Sequence, residues 1–230
     1  MTTTAVRVRP ILFSAPMVRA ILDGAKTQTR RVVTLREFQA STTAGYDWTW
    51  RNHRGCWEDY GTARFLRDCC PYGAVGDHLW LRETWQHADW TEDGEPFVRY
   101  RADDAVRFCA DTPAGEALVD RWADLSDAAN IAIDGKASDR RWRPSIFMPR
   151  WASRITLEIT GVRVERLQEI APEDCIAEGI SPDMETHAGQ YWREDAVGQY
   201  RDLWDSLNAK RAPWAANPFV WCISFKNVTP

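Results

Sequence analysis

A chain of 230 residues is long enough for one large domain or two small ones, each with a real hydrophobic core. Its 29 basic and 33 acidic residues leave a net charge of −4, which excludes bulk positive charge as a means of holding nucleic acid. No run reaches the about 18 apolar residues of a membrane span, and the first ten residues lack the apolar core of a signal peptide.

In chain order, residues 11–13 read as a short strand. Ser14 is placed to cap a helix that starts near Pro16, where a missing N–H costs nothing. Met17, Val18, Ile21 and Leu22 recur at helical spacing, and Gly24 suits the stop. Residues 37–72 are charged, rich in Trp and weakly periodic. Gly73 and Gly76-Asp77 suit a turn before an alternating segment, 78–85, with Leu79, Leu81, Glu83 and Trp85 on one face. Residues 86–143 are again irregular.

Ile155, Leu157 and Ile159 then alternate, Gly161 predicts a turn or bulge, and Val162 and Val164 resume the alternation. A short helix should follow, with Pro172 in its first turn, Glu173 and Asp174 near its N-terminus and Gly179 ending it. Residues 181–190 read as a loop and 192–208 as a helix, with Val197, Tyr200, Leu203, Trp204 and Leu207 on one side. In 218–228, Phe219, Trp221, Ile223 and Phe225 alternate against Val220, Cys222 and Ser224.

Strands outnumber helices, so the expected class is α+β, a small β-barrel with flanking helices. No linker is visible, which favours one domain of 1–230 with insertions. Most of the 13 tryptophans should be core, leaving one or two as stacking platforms for bases. The six cysteines contain no CxxC and form no disulfide framework, which predicts free thiols in a reducing cytoplasm. Cys175 and Cys222 fall in patterned segments, as small core residues do.

The chain contains no P-loop, GxGxxG, GxSxG, HExxH or HxE…PCxxC pattern. His53, His78, His87 and His187 show no ligand spacing, so neither a metal nor another cofactor is expected. The chemically dense segment is Gly24-Ala-Lys26-Thr27-Gln-Thr29-Arg30-Arg31, which directly follows the first predicted helix. Composition alone reads it as a solvated basic turn. Read for chemistry, Lys26 and Thr29 converge on one pocket, where a lysine partly withdrawn from water loses basicity and can take the Thr29 hydroxyl proton. Arg31 would supply fixed charge for an oxygen. As polar groups at a pocket edge, these residues should matter little to stability.

Gly24, Lys26, Thr29 and Arg31 fill a GxKxxTxR pattern that resembles the signature loop of the ASCH domain, a β-barrel related to the PUA RNA-binding fold. The preceding residues 10–23, Gly76-Asp77 with Trp80-Leu-Arg82-Glu83, Pro172-Glu-Asp174-Cys-Ile-Ala-Glu178-Gly179, and Asn217-Pro-Phe-Val-Trp221-Cys-Ile-Ser-Phe225 resemble its other blocks. Core segments of about 10–36, 73–85, 150–180 and 217–228 match, and the stretches between resemble insertions of the longer, phage-type members. Some bacterial members remove the acetyl group from N4-acetylcytidine. The resemblance implies Lys26, Thr29 and Glu178 as catalytic residues, with Thr29 as nucleophile, Lys26 as its base and Glu178 as proton carrier. It further implies Arg31, Arg82 and Glu83 at the substrate, no metal, and a nucleoside as the small-molecule partner. RNA is the other partner it implies, bound by the basic loop, and no membrane is involved.

Overall fold

The computed structural model describes residues 6–90, 96–108, 142–181 and 191–229. His187, Cys109, most of the 181–190 loop and most of the 86–143 stretch lie outside them, as does the His87 side chain. The described chain is mixed α+β and divides into two units. The first comprises Met1–Arg7, Asp23–His78 and Glu158–Lys226, and the second Val8–Leu22, Leu79–Leu157 and Asn227–Pro230.

In the first unit, β10 (Thr156–Arg166), β11 (Phe219–Asn227) and β2 (Gln28–Val32) are neighbours in that order, with β11 and β2 antiparallel. Both faces of β11 are covered by other layers, one by the core around Tyr200 and the other by Phe65. Val220, Trp221, Cys222 and Ile223 are all buried in a continuous run, instead of the one-sided alternation that the sequence predicts. Val220 and Cys222 join a core with Leu167, Cys175, Tyr200 and Trp204. Trp221 stacks on Phe65 at 5.0 Å between ring centroids.

Phe65 lies on α2 (Thr62–Cys69), which follows the small sheet of β3 (Gln39–Ala40), β4 (Trp48–Arg51) and β5 (Trp57–Tyr60). Phe38, Trp48, Trp50 and Tyr60 complete this aromatic cluster, the structural use expected of most tryptophans. β10 runs unbroken through Gly161. A Cβ there would meet the Ser224 side chain at an ordinary 3.5 Å, so this glycine serves neither a turn nor a close approach.

Two helices frame the β2 side. α4 (Tyr191–Asn208) buries Ala196, Tyr200 and Trp204, one stripe at i, i+4 and i+8, while Leu207 is exposed. α3 (Pro172–Ala177) starts on Pro172 and ends in two bonds of a left-handed stop: Gly179 N–H donates to the Ile176 carbonyl and Ile180 N–H to the Cys175 carbonyl. Gly179 sits at φ 92°, where a side chain is strained. Gly179→Ala should therefore lower unfolding free energy by about 1–3 kcal/mol in urea titration. A variant as stable as wild type would mean that the turn relaxes freely.

In the second unit, β1 (Val8–Leu12), β6 (His78–Arg82) and the start of β10 are neighbours in that order, and α1 (Ala15–Leu22) follows β1 as predicted. The segment expected as one strand over 78–85 is divided. β6 ends at Arg82, and β7 (Trp85–Trp90) begins a separate sheet with β8 (Pro96–Tyr100) and β9 (Val106–Phe108). Trp85, Val98, Tyr100, Met148 and Ala152 form the core beneath it. Among the described residues no strand order closes on itself, and no helix is long and apolar enough to cross a membrane.

Candidate functional site

The basic segment after α1 is buried. Lys26, Gln28, Thr29 and Arg30 are 2%, 5%, 3% and 4% exposed, which corrects the expectation of residues at a pocket edge and removes the solvated-turn reading. The segment docks on the C-terminal end of α3: Thr27 N–H donates to the Ala177 carbonyl, and Lys26 forms an isolated β-bridge with Glu178. Glu178 is the C-cap residue of α3, directly before the left-handed Gly179, so the cap geometry itself aims this carboxylate.

Lys26 Nζ donates to the Glu178 backbone carbonyl and to Glu178 Oε2, both at 2.7 Å. The ammonium thus satisfies a helix-end carbonyl and neutralises the acid beside it. Burial pulls the lysine below its ordinary 10.5, and the charges of Arg31 and Arg30 push the same way, against the opposing pull of Glu178. Such a pair can hold its proton on either partner: as ammonium and carboxylate, or as amine and acid.

Sequence reasoning missed the next layer. Gln28 and Arg30, two apart on β2, share one face, and Arg30 Nη1 donates to Gln28 Oε1 at 2.6 Å and to Glu178 Oε1 at 3.4 Å. Arg30 Nη2 donates to Glu165 Oε1 at 2.6 Å and Asp174 Oδ2 at 2.7 Å, and Arg163 binds the same two carboxylates. Lys26, Arg30 and Arg163 therefore balance Glu165, Asp174 and Glu178. Burial raises Glu165 and Asp174, but bonds from Cys222, Arg163 and Arg30 to the one, and from Arg30, Arg163 and Gln28 to the other, hold both below ordinary carboxylates. The Arg30 guanidinium also lies 6.0 Å from the Tyr200 ring centroid, and burial, then the charge of Glu178, pushes that phenol well above 10. The available signal was the polar alternation Lys26-x-Gln28-x-Arg30, the pattern of a strand with one polar face.

Thr29 is opposite Ile223 in the β2–β11 register, and strand alternation directs it to the face opposite Gln28 and Arg30. Arg31 pairs with Trp221 in the same register, and its charge is felt at both Lys26 and Tyr72. Arg82 and Glu83 belong to the second unit and have partners there. Glu83, 1% exposed, accepts both arms of Arg154 at 2.9 and 3.1 Å, and Arg82 Nε donates to the Met148 carbonyl at 3.0 Å. Cys175 and Cys222 are buried free thiols, both raised above ordinary cysteines by burial. Among the described residues no three His, Cys, Asp or Glu side chains are grouped to hold a metal. No protein-family model matches the chain, and neither a curated protein nor a solved structure shows significant similarity to it.

Proposed function

We propose that the first unit is a metal-independent amidohydrolase that removes the acyl group from N4-acylated cytosine nucleosides, on a PUA/ASCH-like framework, in a reducing cytoplasm. The observation that carries this reading is the buried Lys26–Glu178 pair, with Nζ and Oε2 2.7 Å apart. Proton transfer from ammonium to carboxylate leaves a neutral amine beside a neutral acid, the arrangement that low-dielectric surroundings favour. The amine takes the Thr29 hydroxyl proton as its oxygen attacks the acyl carbon, a step that requires this hydroxyl to reach Lys26 from the face of β2 opposite Gln28 and Arg30. The acid protonates the departing N4 of cytosine, and water then cleaves the threonine ester to give cytidine and the free carboxylic acid. Arg31 supplies the fixed charge for the oxyanion.

The other reading, an RNA-binding or RNA-cleaving module, needs the same segment's cations to face phosphates. Lys26 and Arg30 instead donate to carboxylates, which favours a small neutral substrate. Incubation with N4-acetylcytidine should release cytidine at an unchanged rate after exhaustive chelation, and no cytidine at all would sink the assignment. Thr29 is the sharpest control. Thr29→Ser keeps the hydroxyl and should retain part of the turnover, whereas Thr29→Ala should lose about 10²-fold or more. Full activity in Thr29→Ala would pass the attack to a water molecule activated by Lys26 and Glu178.

A further inference from the structure

Two tyrosines are buried among the described residues, and they differ in how their hydroxyls are used. Tyr100 donates to the Ala152 carbonyl at 2.7 Å, the kind of partner a phenol in an apolar core needs. Tyr200 on α4 is 3% exposed, yet among the described residues its hydroxyl has no hydrogen-bond partner. The core around it does satisfy donors, since Trp204 Nε1, one turn further along the helix, donates to the Ala212 carbonyl at 2.8 Å. The Tyr200 oxygen is not sealed off, so the little surface that this residue keeps includes its hydroxyl. A donor so withdrawn costs stability when nothing accepts from it, and its use lies with a molecule from outside the chain.

The ring is held in place and faces the charged site. Trp204 and Trp214 both lie 6.3 Å from it between centroids, Trp214 edge-on at 72°. The Arg30 guanidinium lies 6.0 Å from the ring centroid, and Cys175, three residues before Glu178, packs in the same core. After burial, the charge of Glu178 acts most strongly on the phenol, and that of Arg30 comes next. The hydroxyl therefore belongs to the surroundings of the Lys26–Glu178 pair. Kept un-ionised, it is a fixed neutral donor wherever that pair works.

We propose that Tyr200 determines specificity at this site, its hydroxyl donating to the ring nitrogen N3 of the acylated cytosine. The inference rests on the amidohydrolase reading above. Glu178 is the acid for N4, and one carbon separates N4 from N3, so a donor beside Glu178 meets the ring at that nitrogen. The acyl oxygen calls for the fixed charge of Arg31, whereas a neutral phenol suits a neutral nitrogen. As the bond from N4 to the acyl carbon breaks, its electron pair passes to N4, which takes the proton of Glu178. The part of that pair delocalised onto N3 is stabilised by the Tyr200 hydroxyl. An acylated amine without a ring nitrogen at this place leaves the hydroxyl unpaired and is discriminated against.

The test compares wild type and Tyr200→Phe on N4-acetylcytidine and on its 3-deaza analogue, in which C–H replaces N3. Tyr200→Phe keeps the ring between its tryptophans and removes a hydroxyl that the protein leaves unpaired, so melting temperature should not fall. Cytidine release should slow about tenfold, the worth of one hydrogen bond. The wild type should process the analogue more slowly by a similar factor. Tyr200→Phe should process the analogue as fast as the wild type does, because hydroxyl and N3 act as one pair. A wild-type rate in the variant, or equal slowing on both substrates, would overturn the proposal. Calorimetry with cytidine and 3-deazacytidine separates this result from the fate of the reaction. Tyr200→Phe should bind cytidine about tenfold more weakly and 3-deazacytidine equally well. A wild type that shows this binding pattern without hydrolysis would sink the amidohydrolase reading and keep Tyr200 at N3. Equal cytidine affinity in the two proteins would do the reverse, and a wild type that neither binds nor hydrolyses would remove both.

Discussion

Lys26→Met should lower turnover of N4-acetylcytidine by about 10²–10⁴-fold, the loss that follows removal of a positioned proton-transfer group. Glu178→Gln should fall by a similar factor, and the double variant should be no slower than the worse single one, because the two side chains handle one proton between them. Stability should follow a different pattern. Both side chains are buried, 0% and 5% exposed, so either single change strands a charge and should cost about 3–5 kcal/mol. The double variant removes both charges and should regain much of that loss while staying inactive. Turnover and urea unfolding of the same four proteins separate a reacting pair from a merely structural one: activity that recovers together with stability would reduce the pair to scaffolding. In the wild type, kcat/KM should fall as pH rises through a value below 10.5, because burial depresses the lysine and loss of the pair's proton leaves an amine beside a carboxylate, with no acid for N4. That limb reports the pair, not either residue alone, and it should vanish from the residual rate of Lys26→Met.

Local signals in the sequence carried much of this fold. The helix over 15–22, the short helix begun by Pro172 and stopped by Gly179, and the long helix ending at Asn208 all follow from apolar spacing and cap residues within a few positions of each other, while the strand expected over 11–13 lies at 8–12. Expectations departed from the structure where neighbours in space decide. Gly161 reads as a break because glycine weakens strands, yet β10 continues through it with room for a side chain. The aromatic cluster around Phe65 lies in residues without clear periodicity, because β3, β4 and β5 are too short to display one and pack ring on ring.

The site divides the same way. Lys26, Thr29 and Glu178 are legible as a motif, but their burial is not, because a run of lysine, threonine and arginine looks solvated until its partners are known. Those partners are distant: Glu165 is 135 and Asp174 144 residues from Arg30 along the chain. No local pattern announces an ion pair across such a gap. Arg82 and Glu83 show the converse, since adjacency in a matching motif placed them at the substrate, while their hydrogen bonds lie with Met148 and Arg154.

Arg30→Met should cost about 3–5 kcal/mol, as much as either change in the Lys26–Glu178 pair, because it leaves carboxylates that its own charge now balances. The Arg30 side chain is 0% exposed, and Glu165 and Asp174 are only 16% and 25% exposed, so water can do little to replace it. The cost should depend on pH, with a definite sign. Both carboxylates are held below their ordinary 4.5 and 3.8, so the folded state binds fewer protons than the unfolded chain around those values. Their contribution is therefore present above those values and is lost as pH falls through the lower folded ones. Wild type and Arg30→Met should accordingly differ most near neutrality and converge in acid. Adding Asp174→Asn to Arg30→Met should recover part of the loss, since it removes one stranded charge while the Gln28 and Arg163 side chains still have an oxygen to donate to. A constant gap between the two proteins from neutrality down to acid would show that Arg30 acts by packing alone, and that the balance of charge around Glu178 is not what holds this part of the fold.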